Sequence, residues 1–391
     1  MKLLYCAFDP VPWPKGSGTR IEATVRALAK AGAHVHLHTP LAPRSLDGFP
    51  ERLEAENVSH QPVAIDGENF LERALAFRES VELLVSSQDF DRAIFRSLWE
   101  GLPILKHVPV AAFEAHGFPS IELPSHHPGL EKDPQFLDRL IGEENACIAR
   151  SALYITPSVT NRHFLMRRGA HPGKIHVIPN SVSMENLPES SPAPSLENGP
   201  FRIGYMGTMA PWQGLGTLLE AVGLLSRKVP CQIVLAGTRK GRWMRNLRNT
   251  ARSLRIKKSL EFHGPLAKEE LFEVLQSCHV LAAPLPNDPR NGLQGCCPIK
   301  ILEYMTCRRP IISTRITPVQ EILEHEDTAY LVRPGSSQAL AAGLDALYQE
   351  AALRDGLAER AFEHVGRHYQ RGMFDGQVAE LWERLRLVER G

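Results

Sequence analysis

At 391 residues the chain is long enough for two or more domains with ample cores. Its 45 basic and 44 acidic side chains leave a net charge of +1, which gives no electrostatic case for nucleic acid. Seven scattered cysteines, an odd number without a CxxC pair, do not read as a disulfide framework.

The N-terminal Met1–Phe8 is too short for a signal-peptide core with its cleavage site, and reads as a first buried strand over Leu3–Phe8. A Gly/Pro loop (Pro10–Gly18) leads into a helical stretch, Ile21–Ala31, and a second strand, Val35–Leu37. Further strands are expected at Arg92–Phe95, Val110–Ala115, Leu153–Thr156 and Ile175–Ile178. Met184–Pro200, rich in Pro, Ser and Glu and without periodicity, reads as a linker. The pattern then restarts with a strand at Arg202–Met206 and a helix at Gly216–Leu225. Strands follow at Gln232–Ala236, Leu260–His263, Val280–Ala283 and Ile311–Thr314, with helices between. No apolar run nears the length of a membrane span, so a cytoplasmic protein is the expectation.

Strand–helix alternation argues for parallel sheets covered on both faces. The expected class is α/β, with two doubly wound Rossmann-like domains facing across a cleft: residues 1–183, a linker over 184–200, and residues 201–369. Ligands of such sheets bind outside the carboxyl ends of the strands, so loops just after strands are the places to search.

Gly16, Ser17 and Gly18 follow the first strand and precede a helix, where small residues let a phosphate or sugar approach the backbone. A third glycine at dinucleotide-fingerprint spacing is missing. Glu114-Ala115-His116-Gly117 stands at the end of what reads as the fourth strand, which makes His116 a candidate for polar contact with substrate. The loop Gly207–Gly214 includes Thr208 and Gln213, and offers either ligand approach or a turn with Trp212 packed inward. After the next strand, Gly237 leads to Arg239 and Lys240, which can reach a diphosphate. Arg245, Arg248, Arg252 and Arg255 continue at helical spacing and form a basic face, solvated or in contact with an anionic surface.

The most specific stretch is Arg290–Met305. A loop containing Gln294, Gly295, Cys296 and Cys297 runs into a helix that begins near Pro298, a residue preorganised for a first helical turn. Free N–H groups and the helix dipole suit an anion, and Lys300 and Glu303 share one face of that turn. A cation, backbone donors and a carboxylate together suit a phosphate and a ribose hydroxyl. The adjacent cysteines lack zinc-ligand spacing and read as small packed residues. Asp9 and Asp288 stand near strand ends without forming a carboxylate cluster, so no metal is expected.

Taken together, the N-terminal glycine loop, His116, Ile178-Pro179-Asn180, Gly204-Tyr205-Met206-Gly207 and Pro298–Glu303 resemble the retaining family-4 glycosyltransferases of the two-Rossmann (GT-B) fold, over almost the whole chain. The resemblance implies that Glu303 binds the ribose of a nucleotide, that the loop before it faces the diphosphate and the sugar, and that His116 lies beside the transferred sugar. It also implies that a final helix, around Phe374–Leu387 within about 370–391, crosses back to the N-terminal domain.

The chain departs from the family in three places. Gly295 stands where the first Glu of the motif would be; Thr208 and Gln213 replace an Arg and a Lys; and Pro179-Asn180-Ser181 replaces Pro-Asn-Gly. Lys300, Arg239 or Lys240 are candidates to restore the lost positive charge.

The implied reaction moves a sugar from a UDP- or GDP-sugar co-substrate to a hydroxyl of a glycan, lipid-linked or small-molecule acceptor. Configuration is retained, without cofactor or metal, at a cytoplasmic site that includes the inner membrane face as a peripheral contact. Attack on the face of the departing phosphate would let a phosphate oxygen take the proton. A nucleotide-sugar epimerase and a non-catalytic nucleotide-sugar-binding protein are the rival readings.

Overall fold

The computed structural model describes all residues except 14–15, 43–52, 54–55, 128, 186, 193, 198, 238–240 and 390–391. The described chain forms two compact units. The first holds Met1–Asn180, Leu293–Cys296 and Gly372–Gly391, and the second holds Ser181–Gly292 and Cys297–Arg371.

The first unit is built on seven parallel strands: β1 (Lys2–Cys6), β2 (His34–Pro40), β3 (Val58–Val63), β4 (Arg92–Phe95), β5 (Ala111–Glu114), β6 (Leu153–Thr156) and β7 (Ile175–Val177). Their order across the sheet is β3-β2-β1-β4-β5-β6-β7. The second unit has six, β8 (Phe201–Met206), β9 (Cys231–Ala236), β10 (Leu260–His263), β11 (Val280–Ala283), β12 (Ile311–Thr314) and β13 (Tyr330–Val332), in the order β10-β9-β8-β11-β12-β13. Both orders reverse beside their first strand, which is the topological switch point of a doubly wound sheet.

Two-residue periodicity explains why each sheet is covered twice. In β1, Leu3 and Tyr5 join one core layer while Leu4 and Cys6 join the other. In β11, Val280 and Ala282 face one layer, and Leu281 and Ala283 the opposite one. The terminal helix, Arg371–Leu387, sends Phe374, Val378, Leu381, Trp382 and Leu385 into the core of the first unit. Arg92 of β4 caps that helix: its Nε donates to the Leu385 carbonyl at 2.8 Å, and Nη2 donates to those of Arg386 and Val388.

Two strands have no sequence-level counterpart. β3 is an edge strand whose core interleaves polar Ser59, His60 and Gln61 with a Pro at position 62, so it carries no apolar run. β13 is three residues long, too short for a pattern. His116 therefore follows the fifth strand in chain order, not the fourth. Helix starts also shift: the first helix begins at Gly16 rather than Ile21, so Gly16, Ser17 and Gly18 form its first turn and not a loop. No described helix is long and apolar enough to cross a membrane.

Candidate functional site

In the second unit the strand-end loops gather around one lysine. Gly207 follows β8 with φ of 123°, and Gly237 follows β9 with φ of 147°. Both values belong to glycine. The loops lie so close that a Cβ on Gly237 would stand 2.2 Å from the Gly207 carbonyl oxygen. A Cβ on Gly207 would lie 3.3 Å from Lys300 Nζ. That ammonium donates to Tyr205 Oη at 3.1 Å and to Gln213 Oε1, and stands 4.3 Å from the centre of the Tyr205 ring. Tyr205 in turn donates to the Thr208 carbonyl at 2.6 Å. Gly207, Thr208, Gln213, Gly237 and Lys300 thus meet at the carboxyl ends of the second sheet. Arg239 and Lys240 lie outside the described residues.

Lys300 is held there by the helix Ile299–Thr306. Pro298 occupies the capping position before this helix, not its first turn, and no side chain caps the free N–H groups. Glu303 is one turn further on and partly buried. Burial pushes its carboxyl up to about 7 against the opposing pull of Lys268 and Lys300. Asp288 is engaged locally: its Oδ1 accepts the Asn291 N–H at 2.7 Å, tightening a π-turn over Pro289–Gln294 where a loop is expected. Trp212 is buried, its carbonyl accepts from Asn291 Nδ2 at 3.0 Å, and the Arg290 guanidinium stands 5.8 Å from the centre of its ring.

The sequence groups Gln294 and Gly295 with the nucleotide loop. In the fold, Leu293–Cys296 pack as part of the first unit. Gln294, fully buried, accepts the Phe118 N–H at 2.9 Å through Oε1 and donates through Nε2 to the His116 carbonyl and to Glu122. Its own carbonyl accepts from Asn161 Nδ2 at 3.0 Å. Gly295 has φ of 82°, and a Cβ there would stand 2.8 Å from the Asn161 nitrogen. Through Gln294 the segment is anchored beside His116. Cys297 is buried in the second unit's core and Cys296 is half-buried; all seven cysteines are free thiols.

Under His116 lies a charged cluster that the sequence does not announce. Glu114, at the end of β5, is completely buried. Its Oε1 accepts from Arg20 Nε at 2.9 Å and faces His116 Nε2 at 3.1 Å; its Oε2 accepts the Tyr5 hydroxyl. Arg96, just past β4, approaches Oε2 at 3.8 Å and reaches Asp9 at 3.6 Å. Burial works to raise the Glu114 carboxyl, but Arg20, His116 and Arg96 hold it well below the usual range. Burial, then repulsion from Arg96, lowers the His116 ring to about 4, so it is neutral near pH 7. The one available signal is the spacing of Glu114 and His116, two residues apart at a strand end and hence on one face. Arg20 and Arg96 are brought in by tertiary structure alone. A surface hollow of about 420 Å³ at the other end of this sheet is lined by Lys2, His34, His36 and Asn57, away from these groups.

Two family models match the chain: Glycosyltransferase Family 4 over residues 14–186 and Glycosyl transferases group 1 over residues 200–350. A D-inositol 3-phosphate glycosyltransferase of Stackebrandtia nassauensis is 25% identical over 257 residues, covering 62% of this chain and 56% of the relative. The chain therefore spans a little over half the length of that relative. The sucrose-phosphate synthase structure from Thermosynechococcus elongatus superposes with a TM-score of 0.78 at 16% identity, covering 98% of this chain and 99% of the other. HepE of Anabaena, solved with UDP and glucose, gives 0.71 at 17% identity, covering 98% and 100%. At these identities the structures speak for the fold, two parallel α/β sheets of the GT-B type.

Proposed function

From the premise that this chain belongs to the family-4 type of glycosyltransferases, we propose that it transfers a sugar from a nucleotide-diphosphate donor to an acceptor hydroxyl, with retention at the anomeric carbon and without a metal. The observation that carries this reading is the seating of Lys300 between Gly207 and Gln213 at the strand ends, with Glu303 one helical turn away.

In this reading the ammonium and the uncapped first turn of the helix Ile299–Thr306 stabilise the diphosphate as it leaves. Lys300 supplies the positive charge that Thr208 and Gln213 do not, and Gln213 fixes where it points. Glu303 accepts hydrogen bonds from the ribose. A leaving-phosphate oxygen takes the proton of the acceptor hydroxyl, which then adds on the same face of the sugar. UDP-sugars are the first candidates, because a structural neighbour was solved with UDP and glucose; GDP-sugars are the second. The acceptor is a glycan, a lipid-linked glycan or a small polyol, in keeping with the inositol phosphate named for the relative.

The decisive experiment incubates the purified chain with a panel of nucleotide sugars, follows thermal stability, then assays released nucleotide. Stabilisation by one donor class is expected. A flat response to every nucleotide would overturn the transferase reading.

Two substitutions separate its parts. Lys300→Ala is expected to lower kcat by about 100-fold with a much smaller change in donor KM, because the charge it meets develops during bond breaking. A raised donor KM with kcat unchanged would place Lys300 in ground-state binding only. Gly295→Glu, which restores the acidic residue usual in the family, is expected to cost about 2–5 kcal/mol of stability, since φ of 82° and the Asn161 nitrogen 2.8 Å away leave no room for a side chain. Raised activity at unchanged melting temperature would contradict that expectation.

A further inference from the structure

Glu114 is completely buried, and each of its oxygens is engaged: Oε1 by Arg20 and His116, Oε2 by the Tyr5 hydroxyl with Arg96 at 3.8 Å. Held among two guanidinium groups, it is ionised and can only accept hydrogen bonds. The His116 nitrogen facing it at 3.1 Å, Nε2, must therefore carry a proton. Burial and the nearby Arg96 disfavour a second proton on the ring. Nδ1 is then a bare lone pair, and it makes no hydrogen bond among the described residues. The His116 side chain keeps 18% of its surface exposed, so the ring is not sealed off. Gln294 fixes the backbone below it by donating to the His116 carbonyl at 3.3 Å.

We infer that Glu114 is a positioning residue that locks the His116 ring as the Nε2–H tautomer and presents Nδ1 as an acceptor to a hydroxyl of the sugar substrate. The inference rests on the transferase reading for the identity of that hydroxyl. A bare imidazole nitrogen accepts from an O–H donor and repels phosphate or carboxylate oxygens, which fits a sugar hydroxyl and not the diphosphate. Tyr5 and Arg20 act through Glu114: one satisfies the second oxygen, and the other neutralises the charge while its Nη1 donates to the Ile178 and Pro179 carbonyls.

The test is ring-nitrogen NMR on histidine-labelled full-length protein, with the His116 signals assigned by their loss in His116→Phe. Wild type is expected to show a protonated Nε2 and a bare Nδ1, unchanged between pH 6 and 8. Glu114→Gln, whose amide can face the ring with either atom, is expected to mix the tautomers. A protonated Nδ1 in wild type overturns the inference, and that measurement needs no variant at position 114 to fold. A single unchanged tautomer in folded Glu114→Gln overturns it too. Adding the UDP- or GDP-sugar that stabilises the protein should shift the Nδ1 resonance. A donor that raises the melting temperature without moving Nδ1 overturns the sugar contact. If no nucleotide sugar stabilises the protein while Nδ1 is bare, the transferase reading falls and the tautomer lock stands.

Discussion

Replacing Glu303 with alanine is expected to weaken nucleotide-sugar binding by about 100-fold, the loss of charge-assisted hydrogen bonds to two ribose hydroxyls. Titration calorimetry with the donor that stabilises the wild type measures it, and an unchanged affinity would remove Glu303 from the site. The same carboxyl predicts a pH dependence. Burial raises it to about 7, so the ionised form that accepts both hydroxyls dominates above pH 7 and is lost below it. Donor affinity should fall by about tenfold between pH 8 and pH 6, the limit that one proton sets near its pKa. Glu303→Gln should bind weakly at both pH values, with no slope. A nucleotide sugar is the right probe, because its diphosphate is esterified at both ends and does not titrate in this range.

Glu114→Ala is expected to destabilise the first unit by about 3–5 kcal/mol, because it leaves Arg20 and Arg96 buried without their anion. Hydrogen exchange localises the damage. Protection should drop in β1, β4 and β5, which carry Tyr5, lead to Arg96 and carry Glu114, while β8 to β12 keep theirs. Equal loss in both units, or none, would show that the cluster does not hold this sheet end together. The pH sign follows from the lowered carboxyl: its stabilisation is present above the ordinary carboxylate range and is lost as acid protonates the folded form. Glu114→Ala should therefore be insensitive to a transition that the wild type shows in strong acid.

Much of the fold is legible in the chain, for a physical reason. Strands buried on both faces are largely apolar, and Arg92–Phe95, Leu153–Thr156, Val280–Ala283 and Ile311–Thr314, buried at every position, are observed with the bounds that pattern sets, as is the half-buried edge strand Leu260–His263. The failures share a cause as well. β3 lies at a sheet edge, where polar Ser59 and Gln61 cost nothing, and β13 is too short for a period to show. The start of the first helix was obscured by Gly16 and Gly18. There, close packing overrides propensity: a Cβ on Gly18 would stand 2.5 Å from the Trp13 carbonyl.

The candidate site divides along the same line. Local order in the chain was enough to single out Gly207, Gly237, Lys300, Glu303 and His116, because each stands just after a strand or in the first two turns of a helix, where a doubly wound sheet exposes its ligand-binding end. What Gln294 and Gly295 do was decided by distance in space. They sit within nine residues of Glu303 in sequence, yet Gln294 bonds to Phe118, His116 and Asn161, and Gly295 packs against Thr160 and Asn161, more than a hundred residues away. The buried cluster is the clearest case. Tyr5, Arg20 and Glu114 come from three separate elements and Arg96 from the turn after β4, and a residue's burial and charge environment depend on neighbours that sequence spacing does not encode. The sequence by itself determined the α/β class, the succession of two strand–helix arrays and the residues at the strand ends. Only the tertiary structure decided which of those residues meet a charge partner, and so which nitrogen of His116 is free.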